Sequence, residues 1–166
     1  MSADNRVQAE QRTSAQAGVN IGSICKRNVV VAPRGESIVD AAKRMRMFHV
    51  GTVVVVERGE GRPLGILTDR DIVLSVVASD PEHLPFLTVG DAMSRDLVTA
   101  REDTSLADAL KLMQEHGVRR LPVVDQAGML VGIATVDDAI RLLADELSAL
   151  VKLMNHEEEV ERRYRV

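Results

Sequence analysis

The sequence predicts an α+β fold, an α/β sandwich of two tandem β-α-β-β-α units followed by a long C-terminal helix. Three observations carry this. The chain repeats itself at a fixed offset, each repeat alternates strand-like apolar runs with helical periodicity, and a heptad-like seam runs past the second copy. Shifted by 68 positions, 21–57 lies on 89–125. In that register Gly22, Val30, Ala32, Ser37, Asp40, Ala41, Lys43 and Met45 meet Gly90, Val98, Ala100, Ser105, Asp108, Ala109, Lys111 and Met113. Shifted by 67, Gly61, Gly65, Ile66, Thr68 and Asp71 meet Gly128, Gly132, Ile133, Thr135 and Asp138. The change of one residue falls in a turn, where a length change is tolerated.

The elements follow in order within each copy. A polar start, to about Gly18, reads as a disordered or weakly helical tail. Each copy then opens with a short lead-in, Ile21–Cys25 or Val89–Met93. A brief strand follows, Val29–Ala32 or Leu97–Ala100. Ser37 and Ser105, each with an aspartate three residues on, predict capped helix starts. The helices carry Ile38, Ala41, Ala42 and Met45, or Leu106, Ala109, Leu110 and Met113, at helical spacing. His116-Gly117 stops the second of them. Buried strands Val53–Val56 and Leu121–Val124 come next, then a glycine turn and strands Leu64–Leu67 and Leu130–Ala134. The closing helices open at Thr68 and Thr135. Pro81 and Pro85 mark a linker over Ser79–Thr88. Val136, Ile140, Leu143, Leu147, Leu150 and Met154 form the heptad-like seam of the last helix. From Leu147 onward that seam has no counterpart in the first copy, which points to a helix pair across a homodimer.

Composition removes several function classes. Apolar residues make up 45% and aromatics 2%, so the core is aliphatic. A net charge of −4 argues against a nucleic-acid partner held by phosphate contacts. Cys25 is the single cysteine, which rules out an internal disulfide or a cysteine metal cage and suits a reducing cytoplasm. No apolar run reaches the ~18 residues of a membrane span, so no membrane partner is expected. His49, His83, His116 and His156 show no metal-ligand spacing. Gly59-x-Gly61-x-x-x-Gly65 lies between two strands and reads as a hairpin turn, not a dinucleotide fingerprint. No Ser-His-Asp or Cys-His grouping has supporting context, so no catalytic residue is assigned.

The segments Gly65-Ile66-Leu67-Thr68-Asp69-Arg70-Asp71, Gly132-Ile133-Ala134-Thr135-Val136-Asp137-Asp138 and His116-Gly117-Val118-Arg119-Arg120-Leu121-Pro122-Val123-Val124-Asp125 resemble the CBS (cystathionine-beta-synthase) domain. The resemblance covers about Ile21 to Leu143 and is to a stand-alone tandem CBS module of bacterial type. It implies two CBS motifs, at 19–78 and 89–146, related by a pseudo-twofold axis. The tail would then be 1–18, the linker 79–88, and a helix extension with a charged tail 147–166. It also implies clefts for adenosyl ligands, assembly of two pairs into a flat dimer, and no catalysis within the module.

Thr68-x-x-Asp71 and Thr135-x-x-Asp138 are capping boxes by spacing alone, as are the serine boxes. Their place after a Gly-Ile strand matches the family's ligand pattern. A carboxylate can accept from both hydroxyls of a ribose, and its charge strengthens each bond. In similar modules one repeat supplies the aspartate and the other the adenine-lining strand. One cleft would join Thr68, Arg70 and Asp71 to Val98, Thr99, Val118, Arg119 and Arg120. The other would join Thr135 and Asp138 to Val30, Val31, Val50 and Gly51. Copy one has Gly51 and Thr52 where copy two has two arginines, and Asp137 replaces Arg70. The expectation is one basic cleft suited to phosphates and one poorer cleft.

The favoured reading is a regulatory sensor of AMP, ADP or ATP, with S-adenosylmethionine or NAD as alternatives. It would pass a shape change to a regulated protein that the sequence does not name. A ligand-free dimerisation module and an enzyme acting on a nucleotide are the competing readings.

Overall fold

Runs of buried valine form the middle of each sheet. Val53, Val54 and Val55 are fully shielded from solvent, and β-branched side chains favour the extended backbone. The computed structural model describes residues 18–57, 61–79 and 81–164. The expected tail before Gly18, Gly59 of the first hairpin turn and the last two residues of the charged tail lie outside the described residues.

The elements of the first copy are α1 (Ile21–Ile24), β1 (Val31–Pro33), α2 (Ile38–Phe48), β2 (Thr52–Val56), β3 (Pro63–Thr68) and α3 (Asp69–Asp71). The last continues as a wide π turn over Ile72–Val77. The second copy repeats them as α4 (Val89–Ala92), β4 (Ala100–Arg101), α5 (Leu106–Glu115), β5 (Arg120–Val124), β6 (Leu130–Thr135) and α6 (Val136–Tyr164). In each sheet the central strand pairs parallel to the first and antiparallel to the third. The copies agree residue by residue: Ala32 faces Val55 as Ala100 faces Val123, and a register shift follows both Val55 and Val123.

Ser37 and Ser105 cap α2 and α5 as the sequence predicts, each accepting from the amide three residues on. The linker is less passive than its prolines suggest. Leu84 and Leu87 pack on the first core, and the Leu87 carbonyl accepts from Ile38 N at 3.1 Å. Thr88 and Asp91 form a capping box that starts α4.

The lead-ins are exchanged. The sequence reading opens each copy with its own lead-in, but in the fold each lead-in packs on the other copy. Ile21 and Cys25 are buried with Ala100, Ala109, Leu121 and Ala134 of the second copy. Val89 is buried with Ala32, Ile38, Val53 and Leu67 of the first. The backbone follows the same rule. Gly22 N donates to Glu102 O at 3.1 Å, and Gly90 N to Arg34 O at 2.8 Å. Lys26 bridges to Ile133, and Ser94 to Ile66, through two hydrogen bonds each. The first strands therefore start two or three residues later than expected, because the chain is still crossing from the neighbouring repeat.

Cys25 sits in the second core, and burial pushes its thiol up from the ordinary value despite the nearby Arg27. This fits a small apolar core position. Among the described residues, no helix is long and apolar enough to cross a membrane, and no cluster of three metal-ligating side chains occurs.

Candidate functional site

The exchange brings residues of both copies around one cavity of about 530 Å³. Thr68, Asp69, Arg70 and Asp71 come from the end of β3 and from α3. Val118, Arg119 and Arg120 come from the entry to β5, and Val98 from the segment before β4. Of the residues expected in the basic cleft, only Thr99 does not line it. Ile66, Ser94, Asp96, Leu97 and Gly117 line it as well. The size lies within the range of small-molecule pockets.

Thr68 and Asp71 lock one another in place. Asp71 Oδ2 accepts from Thr68 N at 2.9 Å and from Thr68 Oγ1 at 2.7 Å. Thr68 Oγ1 in turn accepts from Asp71 N at 3.1 Å. The cap is therefore real, but it uses only one carboxylate oxygen. Among the described residues nothing pairs with Asp71 Oδ1. Capping and ligand binding are compatible at this aspartate, because the cap holds the carboxylate still and leaves an acceptor at the cavity.

The Thr135 and Asp138 box is built on the same plan as Thr68 and Asp71, with a different neighbour. Asp138 Oδ2 accepts from Thr135 N at 3.0 Å and from Thr135 Oγ1 at 2.6 Å. Its other oxygen, Oδ1, is held by Lys26 Nζ at 3.3 Å. Burial, the largest influence, pushes the Asp138 carboxyl up. The Thr135 and Lys26 hydrogen bonds and the lysine charge outweigh it and hold the group below the usual carboxylate range. Val30 and Val50 are half-buried against the first core, and Val31 lies in β1. Gly51 abuts Asp69, and its carbonyl accepts from Asp69 N at 3.1 Å. Arg119 lies 3.7 Å from Asp137, with both side chains exposed.

Val54 and Pro122 are equivalent and fully buried, and their difference reaches the clefts. Val54 N donates to Val30 O at 3.0 Å. Pro122 has no N–H to give to Val98, so this cavity-lining residue keeps its carbonyl free of that bond. A further cavity, of about 680 Å³, lies over the loop before α2. Its Arg44 and Glu36 face each other as a forked ion pair at 3.0 Å, so these two charges satisfy one another.

A family model described as "CBS domain" matches residues 21–78 and 89–145. An uncharacterized protein of Methanopyrus kandleri is 37% identical over 124 residues. That match spans 75% of this chain and 62% of the other. The CBS domain pair of protein MJ0100, solved with 5′-methylthioadenosine and S-adenosyl-L-methionine, is 26% identical with a TM-score of 0.67. It covers 76% of this chain and 97% of its own. CBSX2 in complex with AMP is 28% identical with a TM-score of 0.66, covering 77% and 98%.

Proposed function

Because the chain belongs to the CBS domain family, we propose that it is a regulatory module that binds an adenosine-containing ligand in the Asp71 cavity. The observation that carries this reading is the convergence on one cavity of a held aspartate with a free oxygen and three arginines. Asp71 Oδ1 accepts from the ribose hydroxyls. Arg70, Arg119 and Arg120 offer donors to phosphates beside Asp69 and Asp96, which favours the phosphate-bearing AMP, ADP, ATP or NAD over S-adenosylmethionine. Val98, Leu97 and Val118 give the apolar wall that a purine needs. Solved neighbours of the same fold hold AMP and S-adenosylmethionine, which supports an adenosine ligand here. The module acts as a switch and not as an enzyme. Its ligand binds two shapes of the protein with different affinity, and a regulated protein reads the result. A cytoplasmic setting fits a chain with a single cysteine.

A second observation favours self-association. Ile140, Leu143, Leu147, Leu150, Val151, Leu153 and Met154 of α6 are between 47% and 64% exposed. We propose that a second copy of the chain covers this stripe, forming a homodimer.

Thermal unfolding against AMP, ADP, ATP, S-adenosylmethionine and NAD tests the ligand reading. A ligand at ~100 times its Kd stabilises the native state by ~2.7 kcal/mol. Asp71→Asn is expected to weaken binding by roughly 10-fold or more, since hydrogen bonds to a charged group contribute about 1.5–3 kcal/mol. Undiminished affinity in that variant overturns the site.

A further inference from the structure

We propose that Lys26 closes the Asp138 cleft, so that each chain binds a single adenosine-containing ligand, on the Asp71 side. This rests on the adenosine reading above and adds which cleft is used and why.

The two clefts differ at the one position that the exchanged lead-ins deliver to each aspartate. Ser94 is delivered to the Asp71 cavity and lines it. Lys26, its equivalent at offset 68, is delivered to Asp138. Both are pinned by paired backbone hydrogen bonds, Ser94 to Ile66 and Lys26 to Ile133. The fold thus fixes the backbone from which the Lys26 side chain reaches Asp138.

The consequence for a sugar is direct. A free carboxylate oxygen can accept from the ribose hydroxyls, whereas a lysine ammonium offers only donors. With Thr135 on Oδ2 and Lys26 on Oδ1, both Asp138 oxygens are engaged. The Asp138 side chain is only 9% exposed, while that of Lys26, 3.3 Å away, is 62% exposed. Val30, which the sequence expects on the Asp138 side, has its carbonyl tied to Val54 N. On the Asp71 side the corresponding carboxylate oxygen and the Val98 carbonyl lack these partners.

Calorimetric titration of the full chain with AMP tests this, with ATP and S-adenosylmethionine run alongside. The expected stoichiometry is one per chain. Lys26→Ser, which installs the residue of the equivalent position, is expected to raise it to two, the second site being weaker because Val54 remains. Lys26→Arg keeps a cation there and is expected to stay at one. Asp71→Asn should weaken its single site by roughly 10-fold or more, and Asp71→Asn combined with Lys26→Ser should add one site that Asp71→Asn alone lacks. A single cooperative melting transition without nucleotide shows that these variants fold. Two sites in the unaltered chain, or one in Lys26→Ser, overturn the role of Lys26 and leave the adenosine reading standing. No binding of any of the three probes by either protein overturns the adenosine reading and this inference with it.

Discussion

Asp71 and Asp138 occupy the same place in the two copies and make the same cap, yet only Asp138 has a cation on its second oxygen. That difference has a pH signature. The folded chain holds the Asp138 carboxyl below its ordinary value, against about 3.9 in an unfolded chain. A lowered folded value means that the stabilisation is fully present above about pH 4 and is lost as pH falls through the folded value. Asp138→Asn removes this contribution. In acid titrations followed by thermal unfolding, the midpoint of the unaltered chain should therefore fall more steeply below about pH 4 than that of the variant. Parallel curves would mean that the Thr135 and Lys26 contacts together do not outweigh burial at this carboxyl in solution. The two aspartates are legible in the sequence because a Thr-x-x-Asp box after a Gly-Ile strand recurs in register. Lys26 is not, because it lies far from Asp138 along the chain and only the exchange brings it to 3.3 Å. Thr99 misses the cavity narrowly. On this segment the cavity lining ends at Val98, one residue short of Thr99.

The elements themselves are legible because each has a local cause. Serine caps set the starts of α2 and α5, valine runs set β2, and the repeat confirms each assignment twice. The exchange has no such cause, since an apolar lead-in suits either core equally. Its steric condition is visible at Gly65. A Cβ there would lie 2.5 Å from the Ser94 carbonyl oxygen and 2.9 Å from Met93 Sδ, so glycine lets the lead-in cross β3 closely. Gly132 plays the same part beneath Cys25 and Lys26. Gly65→Ala is expected to cost about 1–3 kcal/mol, the usual penalty of overpacking, seen as a melting temperature lower by several degrees. Gly35→Ala is the matched control, because its Cβ would meet nothing within 4 Å. Equal melting of Gly65→Ala and the unaltered chain would show that the lead-in can move away from β3 without loss.

At the scale of the whole molecule, α6 does more than close the second copy. Its start is anchored, with Ala139 buried and Val136 packed on the second core. Over 29 residues it then extends about 43 Å at the helical rise of ~1.5 Å per residue, far longer than its counterpart α3 and the π turn. Monomers rarely leave a continuous apolar patch larger than a few hundred Å² in water, and seven large aliphatic side chains at about half exposure reach that size. The spacing of four and three from Ile140 to Met154 matches a partner helix and not a flat surface. Sedimentation equilibrium should therefore give twice the mass of one chain. Leu147→Glu combined with Leu150→Glu places charges in the middle of the stripe and should reduce this to one chain. Neither residue lines the Asp71 cavity, so nucleotide binding by the variant separates two roles of the molecule. A monomer that still binds AMP or ATP would make dimerisation a separate layer on a complete sensor. A monomer that has lost binding would mean that the second copy holds the cleft in its competent shape. If the unaltered chain sediments as one chain, the stripe is covered by something other than a second copy, and the homodimer is overturned.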